Sequence, residues 1–183
     1  SMLQIKSAFR ANYPEPLNFI AVIIGGSTKS YKFSVETAEF LSNKILAISA
    51  YHSLPAFISF SRRTPKDVKE IFKNKFPWPH IIYDTEESLP NPYPGIIGEG
   101  EYIIITADSI SMCSEAASTG RPIYVFYPEN FKLKKHRFFV QQLVDIGVAR
   151  TLDKTTTFLE KYDYEPLYEI DKVIGIINKK LGK

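Results

Sequence analysis

The chemistry-bearing residues concentrate in one stretch, Thr106-Ala-Asp-Ser-Ile-Ser-Met-Cys-Ser-Glu-Ala-Ala-Ser-Thr-Gly-Arg-Pro122. An apolar run, Tyr102–Thr106, leads into a turn with Asp108 and Ser109 at the cap position of a short helix of small and polar residues. Gly120 and Pro122 end that helix. The first backbone N–H groups of a helix have no intrahelical partner, so a hydroxyl-rich first turn fed by a strand suits an anion such as a phosphate. Ser111, Glu115 and Ser118 fall at i, i+4 and i+7 and share one face, while Ile110, Cys113 and Ala117 share the face that packs on a sheet. Glu115 thus projects from the second turn, where a carboxylate can accept both hydroxyls of a ribose. The alternative is a solvated surface glutamate.

Three further loops carry suitable groups. Gly25-Gly26-Ser27 follows an apolar run; it allows close backbone approach to a ligand, or simply a turn that needs glycine. Arg62 and Arg63, in Ser61-Arg-Arg-Thr-Pro65, can clamp a diphosphate, or bond a carboxylate or cap a neighbouring helix. Asn91-Pro92-Tyr93 is the third. No G-x-G-x-x-G follows the first strand and no G-x-x-x-x-G-K-[ST] occurs, which argues against NAD enzymes and P-loop NTPases. His52, His80 and His136 lack metal-ligand spacing, so neither a metal nor a cofactor is expected. Ser109 and Ser111 have no histidine in range for a hydrolase triad. Lys132, Lys134, Lys135, His136 and Arg137 make either a solvated basic helix start or a contact for a phosphate or anionic lipid headgroups.

Strands alternate with helices along the chain. Phe19–Ile24, Ala56–Phe60, Ile81–Tyr83, Tyr102–Thr106 and Ile123–Phe126 are short apolar runs suited to buried parallel strands. Ser34 caps a helix with Ala38, Leu41, Ile45 and Ile48 at helical spacing, and a second helix begins near Pro65. A third, from Lys134 to Asp145, turns Phe138, Phe139, Leu143 and Val144 inward. Residues 84–100 predict a long loop with one helical turn. Thr155-Thr156-Thr157 and Tyr162 to Tyr164 predict a surface connection to a last helix striped by Leu167, Ile170, Val173, Ile174 and Ile177. The sum is a single Rossmann-like α/β domain over residues 18–183, with residues 1–17 a lead-in or tail. Its parallel sheet of about five to six strands carries helices on both faces. All four loops then fall outside the carboxyl ends of strands, where ligands bind in such sheets.

The bounds agree with one domain, since 183 residues would be cramped as two. Net charge is +3 (23 basic minus 20 acidic), too mild to imply nucleic acid. A single cysteine, Cys113, excludes an internal disulfide and favours a reducing compartment. The longest apolar runs are strand-sized, so the expectation is a cytoplasmic domain whose membrane contact, if any, is peripheral.

Ser114-Glu-Ala-Ala-Ser-Thr-Gly-Arg-Pro122 resembles the acidic, small-residue helix of GT-B glycosyltransferase donor domains, and Gly25-Gly26-Ser27 resembles their first loop. A fuller pattern resembles the Elm family of mitochondrial-fission proteins and their bacterial relatives. It comprises Ile24-Gly-Gly26, Ser61 to Pro65, Asn91 to Tyr93, Thr106 to Glu115, Gly120-Arg-Pro122, His136-Arg-Phe138 through Leu143, Gly147 and Arg150, spanning about residues 18–152. The resemblance implies the C-terminal half of a GT-B fold and a UDP- or GDP-linked sugar as ligand. It implies Glu115 at the ribose, with Gly25, Gly26, Ser27, Arg62, Arg63, Asp108, Ser109 and Ser111 around the diphosphate, and Asn91 and Tyr93 flanking the base. It implies no catalytic residue here, because the base comes from the first domain, so an N-terminal half or partner chain would complete the site. The rival expectation is a non-enzymatic interaction module. Gly98-Glu99-Gly100 departs from the family's apolar helical lead, which predicts a looser loop there.

Overall fold

Strands β1 (Ile20–Ile24), β2 (Ala56–Phe60), β4 (Tyr102–Thr106) and β5 (Ile123–Phe126) are buried at every position, as apolar runs must be when helices cover both faces. With β3 (Ile81–Tyr83) and β6 (Ala149–Leu152) at the edges they form a six-stranded parallel sheet in the order β3-β2-β1-β4-β5-β6. The computed structural model describes residues 2–13, 18–85, 91–128, 130–168, 175 and 179. Between β1 and β4 the strand order reverses, so the chain leaves these neighbours in opposite directions and a crevice opens at their carboxyl ends.

The helices follow from the expected signals. Ser34 accepts the Thr37 N–H at 3.1 Å and starts α2 (Val35–His52), whose Ala38, Leu41, Ile45 and Ile48 are fully buried. Pro65 precedes α3 (Lys66–Lys75), which lies beside α2. Asp84, at the end of β3, is buried with Lys69 of α3 at 2.8 Å and ties helix to strand. α6 (Lys134–Asp145) buries Phe139 and Leu143, with Phe138 and Val144 half-buried against the core.

Three segments differ from the sequence reading. The lead-in contains a helix, α1 (Met2–Asn12), whose Phe9 packs with Phe19 and Phe57 at ring separations of 6.0 and 5.7 Å. Within 84–100, where one helical turn is expected, the longer helix α4 (Tyr93–Glu99) forms with Ile96 and Ile97 buried. Its glycines hide the helix from propensity, yet they are what lets it dock. A Cβ on Gly95 would stand 2.4 Å from the Phe9 ring, and one on Gly100 2.8 Å from the Ala21 Cβ. The lead into β4 is therefore tight, not loose. β6 carries no apolar run because its two middle residues, half-buried Arg150 and exposed Thr151, lie at the open sheet edge.

The stretch after β6 is also more than a surface connection. The Tyr162 hydroxyl accepts the Ile123 N–H at 2.8 Å and donates toward the carbonyls of Ile123 at 2.8 Å and Val148 at 3.1 Å, pinning the starts of β5 and β6. The Tyr124 hydroxyl accepts from Glu160 N–H at 2.7 Å. Ile170, Val173, Ile174 and Ile177 lie outside the described residues.

Two measurements test this. Tyr162→Phe should lower unfolding stability by about 1–3 kcal/mol, because it orphans buried backbone groups; a urea midpoint equal to the parent's would refute the role. The second concerns histidine. His80 Nδ1 accepts the Ala56 N–H at 3.0 Å and His52 Nε2 accepts the Leu159 N–H at 2.9 Å, which requires neutral rings. Burial lowers both below the ordinary 6.5. A depressed folded-state value means stability is fully present above the unfolded value and is lost as pH falls through the folded one. Urea midpoints should therefore drop from ~pH 8 to ~pH 5, and His80→Gln, whose amide oxygen can accept the same N–H, should recover part of the loss. An unchanged slope in that variant would count against it.

Candidate functional site

The crevice floor is the loop after β1, stitched to the loops after β2 and β4. Gly25 N–H donates to Thr106 Oγ1 at 2.8 Å, and Gly26 N–H donates to Asp108 Oδ2 at 2.8 Å. Thr64 Oγ1 donates to the Gly25 carbonyl at 2.6 Å, and Ser27 N–H donates to the Arg63 carbonyl at 3.2 Å. Both glycines are required by this closeness. A Cβ on Gly25 would lie 2.0 Å from the Asp108 carboxylate, and one on Gly26 2.0 Å from the Arg63 carbonyl. Ser27 Oγ accepts the Phe33 N–H at 2.9 Å and shapes the turn that buries Tyr31.

Asp108 is the centre of this network. Its side chain is 1% exposed, and Oδ2 also meets Arg63 Nη2 at 3.5 Å. Among the described residues Oδ1 has no hydrogen-bond partner, and neither has the Tyr31 hydroxyl. Burial, then the Asp108 charge, push Tyr31 well above the usual phenol range. Burial and the same carboxylate push the Cys113 thiol up to about 12, which leaves it a core residue and not a nucleophile. The Asp108 carboxylate thus faces the protein interior.

The helix after β4, α5 (Ile110–Ala117), begins where expected. Ser109, with φ −129° and ψ 107°, caps it by accepting the Met112 N–H at 3.3 Å. Ser111 Oγ donates to Glu115 Oε1 at 3.1 Å, which holds the carboxylate in place. Tyr93, at the start of α4, brings a buried hydroxyl beside that carboxylate without conventional hydrogen-bond geometry. Burial first, then Glu115, push this phenol far above its usual range. Asn91 Oδ1 accepts the Tyr93 N–H at 3.0 Å and sets the approach to α4.

Tyr93, Ser111 and Glu115 therefore converge on one side of the crevice, while Gly25, Gly26, Arg63 and Asp108 converge on its floor. Arg62 and Asn91 are exposed at its rim. Thr64, Thr106 and Tyr31 belong to the floor network; Thr64 and Thr106 lie within the Ser61 to Pro65 and Thr106 to Glu115 patterns, whereas nothing local marks Tyr31. His136 is half-buried with its ring edge-on to Phe131 at 6.0 Å, and burial lowers its ring below the ordinary histidine value. α6 opens with Lys134, Lys135, His136 and Arg137 and has no side-chain cap, so its start is cationic. A separate cavity of about 920 Å³, lined by Phe40, Phe126, Tyr127 and Leu152, opens between the start of α2 and the ends of β5 and β6. It shares none of the Tyr93, Ser111 and Glu115 group. No described helix is long and apolar enough to cross a membrane.

Gly25→Ala, by driving a methyl into the Asp108 carboxylate, should cost about 1–3 kcal/mol of unfolding stability. Parent-like stability in denaturant would mean that the floor is not closed in this way.

Comparison with known proteins agrees with this architecture. The family model described as mitochondrial fission ELM1 matches residues 2–181. The chain is 47% identical over 168 residues to Uncharacterized protein RP120 of Rickettsia prowazekii (strain Madrid E), covering 91% of this chain and 48% of that protein. It is 32% identical over 174 residues to Mitochondrial fission protein ELM1 of Arabidopsis thaliana, covering 94% of this chain and 39% of the relative. The chain thus spans about half or less of the curated relatives it matches. Among solved structures, the NMR structure of ALG13 superposes with a TM-score of 0.55 at 11% identity, covering 91% of this chain and 98% of that one, a likeness of fold. This is a Rossmann-like α/β domain, and the chain belongs to the mitochondrial fission ELM1 family.

Proposed function

We propose that this chain binds the nucleotide-diphosphate sugar donor, UDP- or GDP-linked, of a two-domain glycosyltransferase-like protein. The observation that carries the reading is the Glu115 carboxylate. It is held by Ser111 at 3.1 Å and flanked by the buried Tyr93 hydroxyl, one turn beyond the start of α5 at the reversal point of the sheet. A fixed acceptor there suits the two hydroxyls of a ribose. The amides around Ser109 and Ser111 and the guanidinium groups of Arg62 and Arg63 would meet the diphosphate. Gly25, Gly26 and Ser27 form the floor beneath it, because the Gly26 amide is already engaged by Asp108. Asn91 and Tyr93 would border the base.

Transfer would proceed by stabilising the departing diphosphate, with the base and acceptor site supplied by a second half. The greater length of the matched relatives supports such a half, from the same protein or a partner chain. Without it the chain binds donor and does not turn it over. A cytoplasmic setting, with the Lys132 to Arg137 cluster meeting anionic headgroups, completes the reading. The second reading, a non-enzymatic interaction module, draws on the fission role in the name of the Arabidopsis relative.

Calorimetric titration of UDP, GDP and their sugars separates the two. Binding should weaken roughly ten- to a hundredfold in Glu115→Gln, the value of a hydrogen bond to a charged group. No heat from any of them at millimolar ligand, with the protein folded, would sink the donor reading and favour the interaction module.

A further inference from the structure

The cavity at the carboxyl ends of β5 and β6 differs in kind from the crevice beside it. Its floor is apolar. The Phe40 ring stacks on Phe126 with centroids 6.0 Å apart and planes 24° apart, and Leu152 lines the same space. Phe126 and Leu152 are buried, whereas Phe40 is 38% exposed although its helix buries Ala38 and Leu41. A phenyl ring left open on the wall of a cavity of about 920 Å³ loses the free energy that a covering ligand would return.

The walls are fixed. Ser34 Oγ donates to Thr37 Oγ1 at 2.9 Å while accepting the Thr37 N–H at 3.1 Å, so the first turn of α2 holds its hydroxyls in place. On the β6 side the chain turns around Asp153, whose Oδ1 accepts the Thr155 N–H at 2.8 Å and the Thr155 hydroxyl at 2.6 Å. Lys44 braces the two sides. Its Nζ donates to the carbonyls of Lys154 at 2.9 Å and Thr156 at 2.8 Å, and lies 5.8 Å from the Phe40 ring centroid. A cavity braced in this way exists before a ligand arrives, which spares the cost of ordering it on binding.

The polar groups on these walls narrow the ligand. Among the described lining residues two carboxylates, Glu36 and Asp153, stand against one ammonium, Lys154, which disfavours a phosphate or a nucleotide. Glu36 and Asn130 make no hydrogen bond or ion pair among the described residues. Open carboxylate and amide acceptors around an aromatic floor suit a ligand with apolar C–H faces and many hydroxyl donors. We propose that this cavity binds a neutral saccharide, with a sugar face laid on Phe40 and hydroxyls donating to Glu36 and Asp153. The volume leaves room for more than one sugar ring. The site shares no residue with the donor crevice and does not rest on the donor reading.

The test titrates three neutral disaccharides, cellobiose, maltose and diacetylchitobiose, into the full chain and follows it by NMR. At least one should shift the backbone amides of Thr37, Phe40 and Asp153 and leave those of Gly26, Ser109 and Ser111 unmoved. Saturating the aromatic protons should pass magnetisation to the sugar C–H protons, as a ring laid on Phe40 requires. Phe40→Ala should weaken that disaccharide about five- to tenfold, the worth of one aromatic contact, and Phe40→Trp should restore it. Glu36→Gln should weaken it about fivefold, because an amide oxygen is a poorer acceptor than a carboxylate. No amide shift from any of the three at tens of millimolar sugar overturns the proposal whether or not the variants fold. Affinity unchanged in Phe40→Ala overturns it as well. Tyramine, an aromatic cation, is the rival probe: if it alone binds, the carboxylates serve a cation and the saccharide assignment fails. UDP or GDP displacing the disaccharide would merge the two sites and overturn this one. Nucleotide binding that leaves Thr37 and Asp153 unmoved, or its absence, bears on the donor reading alone.

Discussion

A buried carboxylate that must be answered by backbone amide and guanidinium holds this molecule's carboxyl edge together. Asp108 lies 1% exposed between the ends of two neighbouring parallel strands. An ionised group there is tolerable only when hydrogen-bonded. The Gly26 amide meets that demand, but only because neither Gly25 nor Gly26 carries a Cβ, since either would strike Asp108 or Arg63. The loop therefore has little freedom.

That constraint separates two features that look alike in sequence. A glycine-rich turn after a first strand suggests amides waiting for phosphate. Here the Gly26 amide is filled from within by a side chain that acts as a resident anion. The polar groups that reach solvent sit one layer out, on Ser111 at the first turn of α5, on Arg63 and on the half-buried Glu115. The other end of the sheet shows the same economy, where Tyr162 ties β5 and β6 with one hydroxyl. Buried polar groups in this fold are chiefly couplings between elements.

Much of the fold is legible locally. β2, β3, β4, β5 and α6 begin and end where their apolar patterns mark, because strands buried on both faces carry no alternation to confuse. Ser34 and Ser109 cap α2 and α5 as their types require. α1 and α4 were not legible as packed helices. Their stability comes from contact between Phe9 and the cleft left by Gly95, and glycine and proline are weak helix formers when judged alone. β6, half-covered at the edge, has no pattern strong enough to read.

The side chains of the candidate site divide the same way. Ser111 and Glu115 share a face by helical spacing, so their pairing was determined by sequence alone. So were the parallel sheet, the position of the loops at its carboxyl ends and the absence of a dinucleotide fingerprint, since each depends on neighbours a few residues apart. Only the tertiary structure decided that Tyr93 stands beside Glu115, that Asp108 turns inward to an amide 82 residues away, and that Arg63 joins it there. Those contacts depend on how the sheet orders its strands and where helix ends come to rest. No local propensity encodes a meeting between residues that distant, because its energy appears only once the whole core is packed.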